Sequence, residues 1–258
     1  MLKELYTAAM GMMPQQTRLE ITSNNIANAN TTGYKRIGIF EQNLIEARNN
    51  LQHIKGDAEP GDAPLSQYTD FNLGTLQKTE NPLDIALDQD GFFVVHDDNG
   101  EEYFTRGGHF TLSQDGKLVA TDGKFLAGEN GGPIVIQQQA DNALHNAETA
   151  VEIKIHDTGE VFANNQMVGR IAVVKVDNPQ TLERVNGAEF LPGEDTNFER
   201  ISAENIRLKQ GYIESSNVNI INEMVQMIGL QRAFEIGQKV ITTNDGTLDR
   251  SIEMGRFA

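Results

Sequence analysis

The sequence predicts an α+β protein in which a long helix at each end flanks a central all-β domain. Three observations predict it. At both termini apolar residues recur in alternating steps of four and three, which places them on one helix face. Between the termini the period changes to two, and short β-rich runs are separated by Asn-Gly and Asp-Gly pairs. The formal charge of −16 over 258 residues is also unevenly spread: +1 over residues 1–35, −2 over residues 213–258, and hence −15 between them.

The first element spans residues 1–35. Leu5, Ala9, Met12, Gln16, Leu19, Ser23 and Ile26 form its stripe, five of the seven apolar. A helix over residues 2–28 would be roughly 40 Å long at about 1.5 Å rise per residue. It should end in the run Asn24, Asn25, Ile26, Ala27, Asn28, Ala29, Asn30, Thr31, Thr32, Gly33, because Asn and Thr compete for backbone hydrogen bonds and Gly tolerates left-handed geometry. Residues 36–75 mix a short apolar patch (Ile37, Ile39, Phe40, Leu44, Ile45) with Gly56, Pro60, Gly61 and Pro64, which predicts an extended linker with little regular structure.

Residues 76–212 form the β-rich part. Asn99-Gly100 should join Gly91–Val95 to Tyr103–Arg106. Asp115-Gly116 should join Phe110–Leu112 to Lys117–Ala120, and Asp122-Gly123 should turn that strand toward Phe125-Leu126. Further strands are expected at residues 133–137, 151–155, 160–163 and 168–176. The stretch is long enough to bury its own core.

The last element covers residues 213–258. Ser215, Ser216, Asn217 and Asn219 are helix-capping types, so the helix should begin between 217 and 220, with Glu223 near its positive dipole end. Ile220, Met224, Met227, Gln231, Phe234, Gln238, Ile241, Asp245, Leu248 and Ile252 make its stripe, seven of the ten apolar. A helix over residues 218–253 would be roughly 54 Å long. Gly229, Gly237 and Asp245-Gly246 are weak points, each glycine costing about 1 kcal/mol relative to Ala.

These stripes need covering. A hairpin of the two terminal helices within one chain is the bland solution, but unequal seams would strand part of the longer one, and each stranded side chain forgoes about 1.5–3 kcal/mol. Packing between subunits is therefore expected, through Leu5, Ala9, Met12, Leu19, Ile26, Ile220, Met224, Met227, Phe234, Ile241, Leu248 and Ile252. Phe234 sits at the centre of the longer stripe.

Composition excludes several functions. The acidic balance disfavours nucleic acid and anionic membranes, which need Lys and Arg to replace counterions. With no Cys there is no disulfide, thiolate metal site or Cys nucleophile. No run approaches the roughly 20 apolar residues of a membrane span, and no signal peptide is evident at the N-terminus. The rival class is an enzyme or metal-binding protein built on the β part. Asp88-Gln89-Asp90-Gly91 opens like a calcium loop, yet it has neither a third ligand before its glycine nor a closing Glu at the twelfth position, Asn99. His53, His96, His109, His145 and His156 lack paired zinc spacing. No nucleophile elbow, P-loop or dinucleotide fingerprint occurs. No catalytic residue, metal or cofactor is expected.

Three blocks carry a resemblance to a known family. Ser23–Lys35, with Asn24, Asn25, Ala27, Asn28, Thr31, Gly33 and Tyr34, resembles the N-terminal signature of bacterial flagellar rod and hook proteins. Asn81–Leu87 with Asp84, then Gly91, Phe92 and Phe93, then Tyr103–Phe110 with Thr105 and Arg106, is similar to the family's central block. Glu214, Ser216, Asn217 and Val218, continuing to Gln231–Glu235 with Arg232, are similar to its C-terminal signature. Tyr34 where Phe is usual and Gly246 in the late helix depart from the pattern. The resemblance implies a structural subunit exported through the flagellar export apparatus without a cleaved signal peptide. It would polymerise helically with copies of itself and neighbouring rod proteins in the basal body, its terminal helices packed as a coiled coil and its β domain outside. The short linker and the phrase Leu126–Ile136 are most similar to the proximal-rod branch, with the distal-rod branch as near relative.

Overall fold

The computed structural model describes residues 2–40, 66–136, 152–194 and 196–256. They form two compact units, one built from residues 1–27, 36–70 and 218–258 and the other from residues 28–35 and 71–217.

In the first unit, helix α1 runs Leu2–Ala27 and helix α2 runs Ile220–Arg256, 26 and 37 residues long. They pair side by side and antiparallel: Met12 meets Gly237, and Asn25 meets Glu223. Helix α2 starts inside the expected window, where Asn219 Oδ1 accepts from the Asn222 amide at 3.1 Å. It runs unbroken through Gly229, Gly237 and Asp245-Gly246. Pro14 lies inside α1, where its missing N–H removes one helical hydrogen bond.

The buried face of α2 is rotated from the sequence-derived stripe. Glu223, Met227, Leu230, Phe234, Gly237, Ile241 and Asn244, in four-three spacing, are buried or half-buried, with Ala233 half-buried beside Phe234. Met227, Phe234 and Ile241 belong to both sets, whereas Ile220 and Met224 are exposed. Among the described side chains of α1 the buried residues are Ile21, Thr22 and Asn25. Leu19 and Ile26 are half-buried beside them and Ser23 is exposed. The displacement has a physical cause. Asn25 and Glu223 are polar and so fall outside an apolar stripe, yet they lie in the seam because they bond one another and, respectively, Ile37 and Arg36. Leu5, Ala9, Leu248 and Ile252 fall within the helices, and their side chains lie outside the described residues.

The expected linker carries regular structure at its edges. Ile37–Phe40 pairs antiparallel with Ser66–Thr69, Ile37 facing Thr69, and Tyr68 lies across Gly38, where a Cβ would sit 2.4 Å from its ring. Leu76–Lys78, the first strand of the expected β-rich part, follows directly on the linker. Leu44, Ile45, Gly56, Pro60, Gly61 and Pro64 lie outside the described residues.

The described residues of the second unit are mostly β, with short 3-10 turns at Pro179–Thr181 and Ala203–Asn205. Its main sheet runs in the order Leu182–Asn186, Glu189–Pro192, Glu102–Thr105, Phe92–His96, Phe125–Leu126, Leu118–Ala120, Phe110–Leu112, with Val173–Val176 pairing both Phe92-Phe93 and Phe198–Arg200. The three hairpin dipeptides turn where the sequence places them, with positive φ at Gly100, Gly116 and Gly123. Ile153–Ile155, Glu160–Ala163 and Gln166–Arg170 form a second sheet. The run expected at residues 168–176 is therefore two strands in different sheets. Pro133 and Val135 make only isolated bridges.

Phe92–His96 is buried on both faces, as its unbroken apolar run requires. Phe93 and Val95 join one core with Phe110, Leu118, Leu126 and Ile171. Phe92 and Val94 join another with Phe104, Val174 and Phe190. Phe93 is fully buried and meets Phe110 edge-on at 5.7 Å. Phe93→Ala is expected to destabilise this unit by about 3–5 kcal/mol, read as a lower urea midpoint with an unchanged m-value; an unchanged midpoint would refute the two-faced core.

Candidate functional site

The polar centre of the sheet unit is an ionic cluster closed to water. Tyr212–Glu214, paired with Leu76–Lys78, delivers the Glu214 carboxylate inward. There Oε1 accepts from Lys35 Nζ at 2.5 Å and from the Gly74 amide at 2.9 Å. Oε2 accepts from Arg106 Nη1 at 3.2 Å. Lys35 also donates to the Asn72 carbonyl at 2.8 Å, and Arg106 Nη2 to the Gln89 carbonyl at 2.8 Å. Exposure is 1% for Lys35 and Glu214 and 3% for Arg106. Burial pulls the Arg106 guanidinium below its ordinary value, opposed by Glu214 and Asp90, and it rests 5.6 Å from the Phe92 ring centroid. Two cations around one carboxylate cannot be desolvated cheaply unless each is hydrogen-bonded, and here each holds the carboxylate and a carbonyl.

The segment 28–35 is fastened by the same groups. The Gly33 amide donates to the Glu214 carbonyl at 2.8 Å. Gly33 has φ +71°, and a Cβ on it would lie 2.3 Å from the Arg106 carbonyl carbon, so only glycine fits. Arg184 lies 4.7 Å over the Tyr34 ring and donates to the Lys35 carbonyl at 2.6 Å.

The helical unit has its own buried polar group. Asn25 completes a strand-like pair with Ile37, donating to its carbonyl and accepting from its amide, both at 2.9 Å. Glu223 accepts from Arg36 Nε at 2.5 Å and from Asn25 at 3.3 Å. Beyond its expected place near the helix dipole, Glu223 is thus a buried acceptor, 2% exposed.

Of the motif residues singled out in the sequence, Gly33, Tyr34, Phe92, Arg106, Glu214 and Asn217 gather around the ionic cluster, Asn217 through its amide to the Tyr34 carbonyl at 3.4 Å. Thr105 sits beside them, donating to the Ala188 carbonyl at 3.1 Å. Asn28 and Thr31 close the turn before Gly33. Gly91, at φ +144°, lets the chain pass the Val174 carbonyl at the start of the central strand. Asp84 lies apart, bonded to Asn81 and to His109 Nδ1 at 2.7 Å. Asn24 is exposed at the end of α1, which closes at Ala27, and Arg232 is exposed on α2. Sequence reasoning missed Lys35, Arg36 and Arg184 as structural partners. Lys35 had a signal, its place at the end of the signature run; Arg184 had none.

On the sheet surface Lys124 bonds Asp122 and, at 2.7 Å, Glu189. Burial, and then Asp122, push Glu189 up from an ordinary 4.5 to about 7, against Lys124, while Asp122 is held low. A raised carboxyl favours the protonated folded state. Its stabilisation is complete below the unfolded value and is lost as pH rises through about 7. Stability should therefore fall between pH 5 and pH 8, and Glu189→Gln should flatten that slope in urea melts; a slope equal to wild type would refute it.

Among the described residues no group of three or more His, Asp or Glu is placed to hold a metal ion. No helix among the described residues is long and apolar enough to cross a membrane. Asp90-Gly91 leads into the central strand by way of the Gly91 turn.

Three family models match: "Flagella basal body rod protein" over residues 5–35, "Flagellar hook protein FlgE/F/G D1 domain" over 86–163, and "Flagellar basal body rod FlgEFG protein C-terminal" over 209–254. The flagellar basal-body rod protein FlgG of Bacillus subtilis is 31% identical over 99% of this chain and 100% of its own length. The chain belongs to the flagellar basal-body rod protein family. FlgG of Caulobacter vibrioides is 31% identical over 98% of this chain and 99% of its own, and the rod protein FlgF of Buchnera aphidicola (Schizaphis graminum) 26% over 94% and 92%. The relatives of this rod protein are structural proteins of the flagellum, and both F and G types are among them. Within the rod family's N-terminal match lie Asn25, Gly33, Tyr34 and Lys35, and within the C-terminal match lies Glu214. The signatures at the two ends of this rod protein therefore meet at the Lys35–Glu214 pair.

Proposed function

We propose that this chain is a proximal-rod subunit that assembles helically through its terminal helices, contributing to the shaft between flagellar motor and hook. Copies of itself and neighbouring rod proteins are its partners, and the flagellar export apparatus delivers it without a cleaved signal peptide. One observation carries this reading. Helix α2 is apolar on two opposite faces, and α1 lies against only one of them, leaving Ile221, Met224, Val225, Ile228, Ile236 and Val240 in water. The α1–α2 pair acts as a short antiparallel coiled coil whose four-three seam is completed within the chain, while the outer face awaits a neighbour. The proximal placement rests on the resemblance of Leu126–Ile136. A distal placement is the second reading, favoured by 31% identity to relatives named FlgG against 26–27% to those named FlgF.

Phe234, at the middle of the α1–α2 seam, tests the assembly reading. Phe234→Ala should leave the melting of the sheet unit unchanged and impair entry into rods, because truncating this half-buried Phe loosens the α1–α2 pair that presents the outer face. Normal rod assembly by this variant would end it. Site-specific cross-linking from Val240 in intact basal bodies reads the level: adducts to proximal components are expected, and adducts confined to distal ones establish the second placement instead.

A further inference from the structure

Helix α2 carries three interior glycines, each costing about 1 kcal/mol against Ala. Among the described residues only one is explained within the chain. At Gly237 an added Cβ would lie 2.9 Å from Met12 Sδ, so the glycine admits the α1 side chain. At Gly229 and Gly246 an added Cβ meets nothing within 4 Å. With about 100° between successive helical residues, Gly246 falls on the outward side with Ile221, Val225, Ile228 and Ile236, and Gly229 falls at the edge of that row, toward the flank that carries Gln226 and Leu230. Ile221, Val225 and Ile236 are 73%, 65% and 65% exposed. Gly229 also opens onto a groove of about 460 Å³ lined by Arg18, Ile21, Ile39, Glu223, Gln226 and Leu230.

We infer that Gly229 is a close-approach notch, at which a terminal helix of a second copy crosses the outward row of α2 and sets an apolar side chain into this groove. The inference deepens the rod reading and rests on it. The terminal segments are nearly neutral, +1 and −2, whereas the part between them carries −15. Copies can therefore meet through their helices while their remaining surfaces repel. The same charge balance disfavours nucleic acid and anionic lipid as occupants. A row and a groove on one helical unit make a contact of unlike surfaces. Such a contact need not close on itself and so propagates as a helical filament.

The test uses the full-length chain, measuring sedimentation at rising concentration beside far-UV melting. A side chain at Gly229 enters open space, so Gly229→Leu should fold and melt at or above the wild-type temperature. Its self-association should fall at least tenfold, and Ile236→Glu should do the same. Gly229→Leu associating like wild type, while wild type forms filaments, would overturn the notch and leave the rod reading standing. Wild-type protein that stays monomeric alone yet enters rods in cells would overturn the second copy as occupant. Wild type that neither associates nor restores rods to a deletion strain would overturn the rod reading itself.

Discussion

Replacing Glu214 by Gln is expected to destabilise the sheet unit by about 3–5 kcal/mol, the cost of leaving a buried charge without its partner. The change is isosteric and removes no apolar contact, so the loss is electrostatic. Lys35 would keep the Asn72 carbonyl and Arg106 the Gln89 carbonyl, but both cations would remain buried without the carboxylate they share. At roughly 2–4 °C per kcal/mol for a unit of this size, the melting temperature should drop by about 6–20 °C. A control separates charge from packing. Lys35→Met combined with Arg106→Met and Glu214→Met removes all three charges and should recover a large part of the loss. Failure of Glu214→Gln to move the melting temperature would mean that the cluster is not closed to water.

Gly33→Ala should cost about 2–5 kcal/mol through two independent terms. A non-glycine residue at φ +71° is strained by about 1–3 kcal/mol. The new methyl would also stand 2.3 Å from the Arg106 carbonyl carbon and 2.4 Å from the Gly107 amide nitrogen, both backbone atoms that cannot swing aside. The segment must shift, and the Gly33 bond to the Glu214 carbonyl and the placing of Lys35 shift with it. Limited proteolysis should then cut within residues 28–35 while the hairpin Phe92–Thr105 stays protected. Protection of both segments together would show that the clasp tolerates the methyl.

Both changes fall in residues that the sequence marks for another reason, their place in the signature runs. Their physical role is to hold those runs against the sheet. Arg106 needed an ionic partner, and the sequence could say so because Arg in an apolar run is rarely left unpaired. It could not say that the partner stands over a hundred residues away at Glu214, nor that Lys35 shares it. The pairing depends on which strands neighbour one another, and Leu76–Lys78 joins Tyr212–Glu214 across most of the unit.

The helical seams divide in the same way. Four-three spacing established that both ends are helical and that α2 carries more apolar surface than a partner helix can cover. Which residues face α1 was off by one position between the shared ones, because Asn25 and Glu223 are polar by type yet buried by mutual bonding. The glycines show it most simply. Their cost in a helix is legible in sequence, but only the fold shows that Met12 fills the space at Gly237 and nothing fills it at Gly229.

The sequence by itself determined the α+β architecture, the helical ends, the three tight hairpins and the segregation of charge. Each of these follows from interactions among near neighbours: periodicity, turn chemistry and local composition. Tertiary structure alone decided the Lys35–Arg106–Glu214 cluster, the rotation of the seam and the outward notch of α2. Those depend on contacts between residues far apart in the chain, whose energies are set by burial and geometry that no local pattern encodes.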